Sequence, residues 1–202
     1  MKPRDHALDA KEKTLLDKAR KGDKGAIQEV LRANENLVFG FAFKVCRDKE
    51  YAKETLQDTF INVFRKLDQF DGRSKFSTWL YSIVAKNCLM KRRRGKLEKA
   101  SLPITEPMMP DHSHADGEQR ILPAWKSTPL DEVMSSELRH IMDAAIQKLP
   151  VDYRLVFILR DIEGKSAMET AKIMDLNVPA VKSRLRRARV FLREQLQGYM
   201  TS

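Results

Sequence analysis

Ser166-Ala167-Met168-Glu169-Thr170-Ala171-Lys172-Ile173-Met174-Asp175-Leu176-Asn177-Val178-Pro179-Ala180-Val181-Lys182-Ser183-Arg184-Leu185-Arg186-Arg187-Ala188-Arg189 is the stretch whose reading decides the fold. Its first four residues have the S-x-x-E form of a capping box, in which serine and glutamate satisfy each other's free amides at a helix start. A short helix is predicted from there to about Met174. Asp175-Leu176-Asn177 then makes a turn: Asn177 tolerates left-handed backbone angles and can cap the next helix, and Pro179 fits only within that helix's first turn. This second helix carries Val178, Val181, Leu185, Ala188 and Leu192 on its buried face. Two short helices joined by a tight three-residue turn, the second one basic, form a helix-turn-helix that can lay its second helix in a DNA major groove. From Lys182 to Arg193 that helix has six bases (Lys182, Arg184, Arg186, Arg187, Arg189, Arg193) and no acid. Arginine can hold phosphates or guanine O6 and N7 bidentately, and Ser183 can bond a base edge or a phosphate. A basic helix can also be no more than a solvated chain end, but the capping box, turn and apolar pattern together favour the DNA-binding unit.

Working outward, Leu138, Ile141, Met142, Ala145 and Leu149 mark one helix. Pro150 either ends it or opens the next, whose apolar face is Leu155, Val156 and Leu159. Nearer the N-terminus, Ile27, Val30, Leu31, Leu37, Val38, Phe41, Ala42 and Val45 recur at helical spacing. Leu56, Phe60, Val63, Phe64, Leu67 and Phe70 are read as one face of a second helix. Asp71-Gly72-Arg73-Ser74-Lys75 is a loop by its turn residues, and Trp79, Leu80, Ile83, Val84 and Cys88 begin a third amphipathic helix. It runs into Lys91-Arg92-Arg93-Arg94. No stretch alternates long enough for a strand, so the expected fold is all-α, two small helical domains joined by an irregular acidic linker. The linker shows in residues 101–132: six acids against two bases, a local charge of −4 that leaves +14 on the remainder, and five of the eight prolines. The expected boundaries are 8–97, 98–132 and 133–200.

The whole chain of 202 residues has 38 Lys plus Arg against 28 Asp plus Glu, a net charge of +10, with 42% hydrophobic residues, enough for a packed core. No apolar run approaches the roughly 20 residues of a membrane span, and the first residues lack a secretory apolar stretch, so no membrane insertion and a cytoplasmic location are expected. Cys46 and Cys88 are far apart in sequence and lie in apolar stretches. They suggest neither a disulfide framework nor a CxxC site, and read as two buried small hydrophobes. His112 and His114, beside Asp111 and Asp116, are a weak ligand set where zinc wants four, so no metal and no cofactor are expected. No Gly-rich phosphate loop, catalytic triad or carboxylate pair is visible, and no intrinsic catalysis is expected. A serine recombinase needs an early nucleophilic serine in an α/β domain, whereas the first serine here is Ser74. A receiver domain fails on the missing strands.

A second constellation sets Phe70, Phe76, Trp79 and Tyr81 beside Lys86, Lys91, Arg92, Arg93 and Arg94. Aromatic faces stack on unpaired bases at about 1–3 kcal/mol each while cations hold the phosphates, the way single strands are gripped. The same rings can instead close the bundle, and both roles are expected here, with Trp79 partly structural. A dimeric repressor would share the helix-turn-helix but has no use for this pairing. The exposed face predicted for Gln57, Asp58, Asn62 and Arg65 is, taken alone, an ordinary solvated one.

Four runs in register, Leu56 to Phe64, Phe76 to Ile83, Leu149-Pro150 with Arg154, Val156, Phe157, Leu159 and Arg160, and Thr170 to Arg189, resemble the extracytoplasmic-function sigma factors of bacterial RNA polymerase. The likeness covers nearly the whole chain apart from the linker. It implies a first domain that binds core polymerase and the melted minus-ten element, and a second that binds the duplex minus-thirty-five element and the polymerase flap. The linker is similar to the segment that threads toward the active-site cleft and RNA exit channel. Position by position, the resemblance puts Gln57, Asp58, Phe60, Asn62 and Phe64 at or behind the core-polymerase contact. It puts Asp71, Arg73, Lys75, Phe76 and Trp79 near the unwound minus-ten strand, with Lys91, Arg92 and Arg93 on flanking duplex, and Lys182, Ser183, Arg184, Arg186 and Arg187 at the minus-thirty-five duplex. Family members often have Asn three residues after the isoleucine equivalent to Ile83. Here Lys86 stands there and Asn87 comes next, so both are carried as minus-ten candidates. An anti-sigma partner is implied as well.

Overall fold

The computed structural model describes residues 4–98 and 136–200, with side chains over residues 11–91 and 140–197. The linker reading, with His112 and His114, lies outside the described residues, as do the side chains of Arg92 and Arg93. All regular structure among the described residues is helical, in two units, Met1–Cys88 and Leu89–Ser202.

The first unit begins with α1 (Arg4–Arg20), a helix without a marked apolar stripe in the sequence, which buries Leu16 and Ala19 and packs against α2 (Lys24–Cys46). Asp23 caps α2 by accepting the Ala26 amide at 3.0 Å. At the other end Arg47 turns left-handed, φ 56°, its amide returning to Phe43 O at 2.8 Å. Asp48 then caps α3 (Lys49–Lys66) through the Tyr51 amide at 2.8 Å. With two residues between them, α2 and α3 fold back on each other and pack together. A 3₁₀ turn, Leu67–Gln69, leads to the loop before α4 (Phe76–Glu98). Val38, Phe41, Ala42, Val45, Val63, Leu80 and Val84 form the core, with the Phe41 and Tyr81 rings edge-on at 4.6 Å. Each of the larger fully buried side chains contributes about 1.5–3 kcal/mol.

The expected face of α3 requires correction. Its buried line is Ala52, Thr55, Thr59 and Val63, whereas Phe60 is half-buried and Phe64 exposed. Small residues face the core because they let α3 approach its neighbours closely, and Thr59 satisfies its hydroxyl internally, donating to Thr55 O at 2.7 Å. Val63, Leu67 and Phe70 are buried as expected, and Phe64 is the member of the expected series that turns outward.

The second unit contains α5 (Ser136–Lys148), α6 (Val151–Phe157), α7 (Ala167–Met174) and α8 (Val178–Met200). Pro150 opens α6 rather than only ending α5. A π-helical turn, Ile158–Ile162, comes after α6, with the Glu163 amide donating to Ile158 O at 2.8 Å, and Gly164 leaves it at φ +64°. Both halves of the capping box form: the Glu169 amide donates to Ser166 Oγ at 3.1 Å and the Ser166 amide to Glu169 Oε2 at 2.8 Å. Ser166→Ala is therefore expected to lower the stability of this unit by about 1 kcal/mol, seen as a lower unfolding midpoint, with Ser166→Thr close to the parent.

Candidate nucleic-acid and partner interfaces

In the turn between α7 and α8 Asn177 caps the second helix as expected, but the left-handed residue is Asp175 rather than Asn177. Asp175 adopts φ 55°, the Leu176 amide donates to Ala171 O at 2.9 Å, and Asn177 Oδ1 accepts the Ala180 amide at 2.8 Å, capping α8. Val181, Leu185, Ala188 and Leu192 are buried as expected, while Val178 is half-buried. The opposite face exposes Lys182, Ser183 and Arg186, with Arg184 and Arg187 half-exposed beside them. Arg184 Nη1 lies 3.9 Å from Asp152 Oδ1, a loose pair that leaves the guanidinium able to turn outward.

Arg189 is held in a bidentate ion pair. Its Nε and Nη2 donate to Asp161 Oδ2 and Oδ1 at 2.9 and 2.6 Å, in a site where the carboxylate is only 12% exposed. The Asp161 hydrogen bond, opposed by partial burial, raises the Arg189 pKa above its ordinary value. This arginine locks α8 to the π turn. The signal was available in the phase: Arg189 lies four residues after Leu185 and three before Leu192, on their face.

In the first unit Phe70, Phe76 and Trp79 form a three-ring cluster with centroids 5.3, 5.4 and 5.5 Å apart. Phe70 and Phe76 are buried; Trp79 alone is half-exposed. Phe76 packs beneath Trp79 and is covered by protein, the bundle-closing part of its expected roles. Beside the cluster, Asp71 Oδ1 accepts the Arg73 amide at 3.0 Å and its Oδ2 meets Arg73 Nε at 2.5 Å. Those bonds, the amide first, hold the Asp71 carboxyl below its ordinary pKa. Asp71 therefore shapes the loop, which leaves Arg73 and Lys75 exposed, with Gly72 at φ +75°.

Lys86 is exposed and Lys91 half-buried, but Asn87 is buried. Its Oδ1 accepts from Asn62 Nδ2 at 3.2 Å and its Nδ2 donates to Thr59 Oγ1 at 3.1 Å, tying α4 to α3. Asn87, carried as a minus-ten candidate, is held within the packing of α4 on α3. Asn62 likewise points into this network instead of standing on an open face. On α3 the outer face holds Gln57, Ile61 and Phe64, with Asp58 and Phe60 half-buried. Ile61 and Phe64 are 49% and 62% exposed, large apolar groups that water penalises and a partner would cover. Ile61 was missed because the expected stripe stepped over it.

Comparison with known proteins agrees with this architecture. A family model described as Sigma-70 region 2 matches residues 30–98, and one described as Sigma-70, region 4 matches residues 139–192. Fold and surfaces thus define a transcription initiation factor of the sigma type. The ECF RNA polymerase sigma-E factor of Haemophilus influenzae is 31% identical over 192 residues, 94% of this chain and 97% of that protein. The ECF RNA polymerase sigma factor SigW of Bacillus subtilis is 31% identical over 189 residues, 92% of this chain and 96% of that protein. The chain belongs to the ECF sigma factors, and its function is promoter recognition for RNA polymerase. Two solved structures share the fold: the sigma factor RpoE of Bartonella quintana in complex with the anti-sigma factor NepR, with TM-score 0.60, 23% identity and 84% of this chain and 96% of that chain covered, and CnrH in complex with the cytosolic domain of CnrY, with TM-score 0.59, 21% identity and 93% and 97% covered. Among the described residues no helix is long and apolar enough to cross a membrane.

Proposed function

We propose that three surfaces divide the work of initiation. The outer face of α3, with Gln57, Asp58, Phe60, Ile61 and Phe64, docks on bacterial core RNA polymerase. Arg73, Lys75, Trp79 and Lys86, continued by Lys91, Arg92 and Arg93, hold the melted minus-ten strand and its flanking duplex. Lys182, Ser183, Arg184, Arg186 and Arg187 dock on the minus-thirty-five duplex. Residues 8–97 and 133–200 are the two functional domains and 98–132 the linker between them. The chain is an initiation factor without catalytic chemistry of its own, acts in the cytoplasm, and is held inactive by an anti-sigma protein that covers these faces.

The observation that carries this reading is the exposure of Ile61 and Phe64 on a helix whose opposite face closes the core. Purified chain, mixed with bacterial core polymerase and fragmented genomic DNA, is expected to give discrete transcript starts sharing two upstream elements. Promoter affinity should fall steeply with salt, because phosphate neutralisation supplies much of it. Phe64→Ser is expected to weaken core association about tenfold, roughly the 1.4 kcal/mol of one lost apolar anchor, at an unchanged unfolding midpoint. Duplex binding with no core association and no new starts would leave a repressor instead.

A further inference from the structure

Cys46 ends α2 and Cys88 lies in α4, 42 residues on, yet helix packing brings their Sγ atoms to 3.5 Å. Both stand as thiols, with no disulfide joining them. Cys88 is buried, while Cys46, at the end of its helix, is half-buried and the more accessible of the two. Cys46 Sγ also lies 3.9 Å from Thr55 Oγ1, which fixes it between α3 and α4. Two thiols in van der Waals contact, one half-buried and one buried, are the arrangement of an attacked and a resolving cysteine.

We propose that Cys46 and Cys88 are a redox-sensitive modification site, closed to an intramolecular disulfide by hydrogen peroxide and reopened by a dithiol. In the first step the Cys46 sulfur attacks one peroxide oxygen; the S–O bond forms, the O–O bond breaks and one water leaves. In the second, the Cys88 sulfur attacks Cys46; the S–S bond forms, the S–O bond breaks and a second water leaves. Both thiol hydrogens end in water, both sulfurs are oxidised, and peroxide is reduced by two electrons. The sulfurs must close to about 2.0 Å, an approach within reach of side-chain rotation and a small shift of the α2 end. The bond would join α2 to the helix carrying Trp79, Lys86 and Asn87.

The test uses the reduced full chain, treated with hydrogen peroxide, alkylated with N-ethylmaleimide and weighed intact, then digested without reductant. Expected are loss of both alkylation sites, a mass lowered by two hydrogens, one peptide joining Cys46 to Cys88, a monomer on a non-reducing gel, and full return with dithiothreitol. In Cys46→Ser, oxidation of Cys88 should slow at least tenfold. The wild-type mass does not depend on how that variant folds. Two alkylated cysteines after peroxide, disulfides formed only between chains, or thiols lost only to irreversible oxygen addition would each overturn the proposal.

Discussion

Arg189→Ala is expected to lower the stability of the second unit by about 2 kcal/mol and to weaken minus-thirty-five binding only as a consequence of that loss. Two charge-assisted bonds to Asp161 disappear, leaving a carboxylate that is 12% exposed without its counter-ion. The value is set below that of a fully buried pair because Arg189 itself keeps access to water. Arg186→Ala makes the contrast. Its side chain is exposed, so the unfolding midpoint should hold while affinity for promoter duplex falls several-fold and the salt slope drops by about 1. Thermal unfolding of the full chain beside duplex titrations at several salt concentrations separates the two. The double variant Asp161→Leu, Arg189→Leu should recover much of the lost stability, since removing both charges leaves nothing buried and unpaired. An unchanged midpoint in Arg189→Ala, with selective loss of DNA affinity, would return this residue to the DNA face.

That contrast also shows what was legible. The helix-turn-helix could be read almost residue by residue, because its capping box, its Asn177 cap and its four buried aliphatics are local signals that depend on neighbours within one turn. The roles of individual arginines depend on their angle around the helix, which a count of charge along it does not carry. Arg189 looked like its neighbours until its phase with Leu185 and Leu192 was considered. On α3 the difficulty was of another kind. Val63, Leu67 and Phe70 face inward as expected, yet the interior also takes Thr55 and Thr59, whose hydroxyls are satisfied nearby, and leaves Phe64 outside. A helix with large apolar groups on its outer face and a tight core on the other has two apolar claims on it. Sequence periodicity reports their sum. The Cys46 and Cys88 contact is a purely tertiary fact, since nothing within one helix shows that the end of α2 meets the middle of α4.

The choice between Lys86 and Asn87 as the minus-ten reader is where the same phase argument has its largest functional effect. Asn87 lies four residues after Ile83 and three after Val84, both buried, so its side chain turns inward and bridges Asn62 and Thr59. Asn87→Ala is expected to destabilise the first unit by about 2 kcal/mol, because a buried acceptor and donor vanish together and Thr59 and Asn62 lose partners that water cannot easily replace. Lys86→Ala should leave stability within about 0.5 kcal/mol, as its side chain is exposed, and reduce open-complex formation several-fold on a cognate promoter. Unfolding curves and strand-melting assays with core polymerase, run on both variants, decide the matter. If Asn87→Ala kept its midpoint and altered base preference in the minus-ten element, the amide would have to leave its network to reach the strand, and the rigid bridge between α3 and α4 would be a switch. If Lys86→Ala alone impairs melting, the reader is a flexible cation. An ammonium group can follow the phosphates or donate to several base edges, but it lacks the paired donor and acceptor of an asparagine. Discrimination at that base pair would then be weak, and promoter choice would rest more on Trp79, the neighbouring loop and the basic face of α8.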